Sequence, residues 1–244
     1  MFRRMSRLLV SFVMIMAGAV IGVGATSGTA HADECYTWSR TLSEGSSGGD
    51  VTQLQIRVAG WVTSGERLSY DGQFGARTTA AVKKFQAAYG LTADGVAGPQ
   101  TFSKIYALQD ADCTPVHFTY AELNRCNSDW SGGAVSAATA KANALKTMWK
   151  LEAMRRALGD VSVTVSSGFR SYACNNAVGG SSTSRHLYGD AADLTGSPTL
   201  CRLAQQARTH GFSEILGPGY PGHNDHTHVA LDPSPYWSAP TCGI

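Results

Sequence analysis

Residues 184–195 read Ser184-Arg185-His186-Leu187-Tyr188-Gly189-Asp190-Ala191-Ala192-Asp193-Leu194-Thr195, and residues 223–231 read His223-Asn224-Asp225-His226-Thr227-His228-Val229-Ala230-Leu231. Each stretch leaves a polar turn and enters a short run of small and β-branched residues, which is the pattern of a strand. A third such run, Val161-Ser162-Val163-Thr164-Val165, follows a long helical pattern from Ala137 to Leu158. In that helix Ala144, Leu145, Met148, Leu151 and Met154 form an apolar stripe destined for the core, and Gly159 marks its end. Another helix is expected from Leu203 to Thr209, stopping at His210-Gly211. Helices and strands in this order predict an α+β domain whose helices pack on a mostly antiparallel sheet.

The same two stretches carry the chemistry. Three of the seven histidines crowd into residues 223–228. Residues two apart on a strand share a face, so His226 and His228 reach one site together. Upstream, His186 and Asp193 supply an imidazole and a carboxylate from a turn entering a strand. Two imidazoles and one carboxylate are the donor set of a catalytic zinc site, because a fourth position stays open for water. Spacing alone does not separate His226 from His228 as the second imidazole. His117 and His210, each isolated, read as structural histidines, and Asp190 as a turn residue.

Working toward the N-terminus, residues 109–119 lose periodicity around Asp110, Asp112, Pro115 and His117, the mark of a linker. Before it, three helical patterns follow one another. Val51, Leu54, Ile56, Val58 and Trp61 follow a Gly/Ser cluster and Asp50, a candidate N-cap. Ala81, Val82, Phe85 and Tyr89 share a face of a helix beginning near Thr78, and a third helix starts at Pro99 and runs through Phe102 and Ile105 to Leu108. Between them Asp71-Gly72-x-x-Gly75-x-x-Thr78 returns as Asp94-Gly95-x-x-Gly98-x-x-Thr101. Each copy reads as a tight turn feeding a helix, with Gly supplying positive φ and Asp bonding its own backbone.

At the start, Arg3, Arg4 and Arg7 precede an uncharged run from Leu8 to Val23 and a small-residue tripeptide, Ala30-His31-Ala32. This pattern predicts a secretory signal peptide over residues 1–32, too short and Gly-rich in its apolar run for a membrane span. Its removal takes three of the 20 basic residues and none of the 18 acidic ones, leaving a formal charge of −1. That balance offers no footprint for nucleic acid. All six cysteines lie beyond residue 32, and their even number in an exported chain predicts three disulfides. Cys35 and Cys113 bracket the helical region and are expected to pair, a cross-link contributing about 4–5 kcal/mol in the chain-entropy model. Cys126, Cys174, Cys201 and Cys242 allow three pairings, of which Cys126–Cys174 with Cys201–Cys242 is the most local.

The repeat, together with Ala81-Val82-Lys83-Lys84-Phe85-Gln86, resembles the peptidoglycan-binding type 1 domain, a small three-helix module. The resemblance implies attachment to cell-wall polymer by a domain over residues 33–114; a structural cap on the following domain is the plainer alternative. Ser184-x-His186-x-x-Gly189-x-Ala191-x-Asp193 and His226-x-His228 resemble the zinc D-Ala-D-Ala carboxypeptidase family, as does Ser167-Gly168-Phe169-Arg170-Ser171. The cysteine positions and domain order are similar to its secreted actinobacterial type. For residues 115–244 this implies a zinc peptidase domain with one Zn²⁺ held by His186, Asp193 and His228. It further implies Asp225 as general base, His226 as a donor to the base or oxyanion, and Arg170 as a clamp on substrate or oxyanion. His223 is expected to line the same site.

What the resemblance implies is a secreted enzyme that removes the terminal D-Ala from peptidoglycan stem peptides; the chain is expected to act as a monomer. Two other readings stand beside it: an endopeptidase acting on cross-links, and a wall-binding protein whose zinc is not catalytic. Asp225 and Arg170 favour an enzyme, since a structural site needs neither.

Overall fold

The structure, a computed structural model, describes residues 35–244, so the signal segment expected at 1–32 lies outside the described residues. The first helical region contains α1 (Gly49–Val58), α2 (Ala76–Ala88) and α3 (Pro99–Ala107). Their apolar faces close on a core of Leu42, Val51, Leu54, Val58, Phe74, Val82, Phe85, Phe102 and Ile105. Gly48, not Asp50, stands at the cap of α1; Asp50 lies inside the first turn, where its carboxylate pairs with Arg40. Backbone freedom decides this, because Gly48 has a φ of 131° that an aspartate would adopt only with strain. α2 starts two residues before Thr78, at Ala76.

The repeated turns have a shared internal logic. In the first, the Gln55 amide Nε2 donates to Asp71 Oδ1 (2.9 Å), the Gln73 carbonyl (3.0 Å) and Thr78 Oγ1 (3.3 Å), while Gln55 Oε1 accepts from Gly72 N (3.0 Å). In the second, Gln86 does the same with Asp94 (2.9 Å), the Val96 carbonyl (3.0 Å), Thr101 (3.1 Å) and Gly95 N (2.9 Å). One buried amide thus holds each turn to the start of the helix that follows it.

The second half begins with α4 (Tyr120–Leu123), closed by a capping box between Thr119 and Glu122. α5 (Ala137–Ala157) is the long helix expected from the sequence. Then come β1 (Thr164–Ser167), α6 (Tyr172–Ala177), a 3-10 turn over Arg185–Tyr188, β2 (Ala191–Thr195), α7 (Leu200–Thr209), β3 (Glu214–Leu216), β4 (Thr227–Ala230) and β5 (Tyr236–Ser238). The strands form one sheet in the order β1-β2-β4-β3-β5. The expectation of a mostly antiparallel sheet is corrected at one edge, where β5 runs parallel to β3, so the sheet is mixed. The cause is the short link after β4, which reverses the chain once and crosses the end of β3. β5 therefore runs antiparallel to β4 and parallel to β3.

α5 serves both cores. Ala144, Met148, Leu151 and Met154 pack with Val165, Leu194, Leu203, Ile215 and Val229 over the sheet, while Trp149 and Ala153 belong to the helical-region core. Polar ties run alongside: Lys150 Nζ donates to the Ala59 and Gly211 carbonyls (3.1 and 3.0 Å), and the His210 ring donates to the Gly60 carbonyl (2.7 Å). The described residues 35–244 belong to one compact unit. Three disulfides join Cys35 to Cys113, Cys126 to Cys174 and Cys201 to Cys242, as expected.

Candidate metal centre

β2 and β4 are antiparallel neighbours in which Asp193 stands directly opposite His228. Both side chains leave the same face of the sheet, so pairing alone brings a carboxylate and an imidazole together. His186 arrives from the 3-10 turn that precedes β2. Gly189 ends that turn with a φ of 76°, and a Cβ there would lie 2.4 Å from the Ala140 carbonyl oxygen of α5. Only glycine brings the turn this close to α5, which explains its place between His186 and Asp193.

Three atoms meet at the centre. His186 Nε2 lies 3.1 Å from Asp193 Oδ1 and 3.1 Å from His228 Nδ1, and His228 Nδ1 lies 2.9 Å from Asp193 Oδ1. All three residues are buried. A tetrahedral ion with bonds of about 2.0–2.1 Å requires donor atoms about 3.3 Å apart, close to this triangle. Two nitrogens and one oxygen also match the borderline preference of zinc. On the outer side of the His186 ring, Nδ1 donates to the Gly168 carbonyl (2.5 Å), which fixes the proton there and turns Nε2 inward.

The electrostatics favour positive charge at this point. Burial pushes the Asp193 carboxyl up, but the rings of His186 and His228 beside it outweigh this and hold the group far below the usual range. Burial also pushes His228 down, yet Asp193 and Glu214 lift it to about 9. His186, facing His228 and Arg170, is lowered, chiefly by burial. The cluster therefore keeps an ionised carboxylate against two imidazoles.

Around the triangle stand the other residues singled out in the sequence. Arg170 Nη2 donates to Asp193 Oδ2 (2.6 Å) and its Nε to Ser167 Oγ (2.9 Å), so this guanidinium contacts the candidate ligand itself. His226 lies one step out: its Nε2 is 3.6 Å from Asp193 Oδ1 and its Nδ1 is 2.8 Å from Asp225 Oδ1. Asp225 is exposed and lies before β4, outside the strand alternation, with its carboxyl lowered by the bond to His226. The His223 ring lies 4.7 Å from that of His226 and 6.0 Å from that of His228. Asp190 is tied to Arg185 by two contacts and belongs to the turn. His117 pairs with Glu152 away from the centre.

Sequence reasoning did not single out Glu214, which approaches the outer nitrogen of His228, or the Gly168 carbonyl and Ser167 hydroxyl. Glu214 sits on a three-residue strand whose place depends on sheet pairing, so no spacing announces it.

A family model described as Peptidase M15 matches residues 116–230, and a peptidoglycan binding domain model matches residues 47–105. The chain is 66% identical over 233 residues to the zinc D-Ala-D-Ala carboxypeptidase of Streptomyces albus G, covering 95% of this chain and 91% of that protein. It is 41% identical over 63 residues to the N-acetylmuramoyl-L-alanine amidase CwlM of Mycobacterium tuberculosis, covering 25% of this chain and 14% of that one. A solved structure of a fused Zn-dependent amidase/peptidase/peptidoglycan-binding domain-containing protein from Clostridium acetobutylicum is 31% identical over 27% of this chain and 28% of that chain, with a TM-score of 0.24. With an α+β domain presenting two histidines and an aspartate, and with 66% identity along nearly its whole length, the chain belongs to the peptidase M15 family.

Proposed function

We propose that this chain is a zinc metallopeptidase that hydrolyses peptidoglycan stem peptides, releasing the C-terminal D-Ala from D-Ala-D-Ala ends. The observation that carries the reading is the inward-facing triangle of His186, Asp193 and His228 in a chain so similar to a carboxypeptidase of that specificity. When bound there, zinc supplies Lewis acidity that lowers the pKa of water from 15.7 to about 7 and polarises a carbonyl.

The chain's own residues supply the rest. His186 and His228 would hold the ion through the nitrogens that face the triangle, with Asp193 as the anionic ligand. The hydrogen-bonded Asp225–His226 pair receives the proton of the attacking water and returns it to the leaving amine, His226 facing the centre and Asp225 orienting its ring. In this reading Asp225 acts through His226, whereas the sequence pattern alone assigns it the role of base itself. Arg170, anchored on Ser167 and Asp193, presents positive charge to a substrate carboxylate or a developing oxyanion. His223 lines the approach.

Residues 33–114 act as the wall-binding domain and residues 115–244 as the peptidase domain. Three disulfides suit an oxidising compartment outside the cytoplasm, and no helix among the described residues is long and apolar enough to cross a membrane. The protein acts there as a secreted monomer.

The test is incubation of the purified protein with a stem pentapeptide ending in D-Ala-D-Ala. Free D-Ala that appears with zinc and disappears with a chelator supports the reading. An intact pentapeptide with cleavage of cross-linked dimers would assign an endopeptidase, and no cleavage of either would leave a wall-binding protein.

A further inference from the structure

The ring of His228 has two nitrogens, and only Nδ1 faces the triangle. Its Nε2, on the far side, lies 3.8 Å from Glu214 Oε2. That oxygen is buried and has no hydrogen-bond partner. A buried carboxylate oxygen without a donor is costly, which points to a role for Glu214 that a contact with His228 completes.

The sheet explains how Glu214 comes to be there. β3 pairs antiparallel with β4, placing Leu216 opposite His228 and Glu214 opposite Ala230. Glu214 and His228 are therefore diagonal neighbours on one face, a separation that a glutamate side chain spans. At 3.8 Å the pair stands about 0.6 Å beyond the longest ordinary N–H···O hydrogen bond, and the proposal requires the glutamate side chain to close that gap.

We propose that Glu214 is a positioning residue of the metal centre: it accepts the Nε2 proton of His228, so that Nδ1 presents its lone pair to the ion. Glu214 is not among the residues whose donor atoms converge on the triangle, and its oxygen approaches the opposite nitrogen of the His228 ring. The two histidines are then oriented by different partners, His186 by the neutral carbonyl of Gly168 and His228 by an anion. An anionic partner also raises the basicity of the ligating nitrogen, opposing the pull of Arg170 on Asp193. The inference rests on the reading of His186, Asp193 and His228 as metal ligands.

The experiment measures zinc affinity of the full chain by competition with a chelator of known strength, for wild type, Glu214→Ala and Glu214→Gln. Thermal midpoints of the metal-free proteins are recorded in parallel. Outer partners of ligating histidines are worth about 10–100-fold in affinity. Glu214→Ala is expected to lose zinc affinity in this range while the metal-free midpoint is little changed. Glu214→Gln keeps the shape and an accepting oxygen but not the charge, so its loss should be smaller. The His228 side-chain nitrogens, observed by NMR in the zinc-loaded protein, should show the proton on Nε2 in wild type. Wild-type zinc affinity in both variants would overturn the proposal while leaving the metal centre standing. Failure of wild type to bind zinc would overturn both.

Discussion

At the scale of single residues, the centre depends on which atom of each side chain faces inward. His226 and Asp225 form a pair at 2.8 Å, with His226 nearer the triangle and Asp225 exposed. If His226 carries the proton and Asp225 orients it, Asp225→Asn should lower kcat by about 10²-fold or more, within the usual range for general acid–base groups. Bound zinc should stay at one equivalent, because neither residue stands inside the triangle. Loss of zinc in this variant, measured by atomic absorption, would place Asp225 among the ligands instead. Much of this was legible in the sequence: the pattern from Ser184 to Asp193 and the pair His226 and His228 named the donors. Spacing left His226 and His228 equivalent because both obey the same alternation. The pairing of Asp193 with His228 across β2 and β4 distinguishes their surroundings.

At the scale of elements, glycines and buried amides fix the approach of the pieces. Gly189→Ala sets a Cβ 2.4 Å from the Ala140 carbonyl and requires a strained φ. A destabilisation of about 2–3 kcal/mol is expected in urea unfolding, with weakened zinc binding because the turn carries His186. Gln86→Leu strips the second repeated turn of its buried amide, leaving Gly95 N and the Val96 carbonyl without that partner. It should cost about 1–3 kcal/mol, and urea unfolding of the variant checks it; zinc binding should be unchanged. The repeat was readable as two turns feeding two helices, but the glutamines that lock them lie outside the repeated motif. α5 was plain from its length and stripe. The Thr119 and Glu122 capping box was a usable signal for α4, whereas β3 and β5 are three residues each, too short for any period to show.

Across the whole molecule, α5 joins two cores, and Lys150 is buried where they meet. Burial lowers its amine to about 7 from an ordinary 10.5. Below pH 7 the ammonium is present in both folded and unfolded chains and its burial penalty is felt in full. Between pH 7 and 10.5 the unfolded chain holds more protons, so stability from this group rises with pH, by up to about 1.4 kcal/mol per unit. Calorimetry from pH 7 to 9 should show a rising midpoint for wild type and a flatter one for Lys150→Met. A common slope in both would remove Lys150 from the account. Nothing in the sequence announced this contact, because the residues it ties, Ala59, Lys150 and Gly211, lie far apart in the chain and have no shared motif.

The account turns on the triangle of His186, Asp193 and His228, and zinc stoichiometry tests it most directly. Purified wild type should hold one zinc per chain, retained in His226→Ala and lost in His186→Ala, Asp193→Ala and His228→Ala. Zinc retained in His228→Ala but lost in His226→Ala would contradict it.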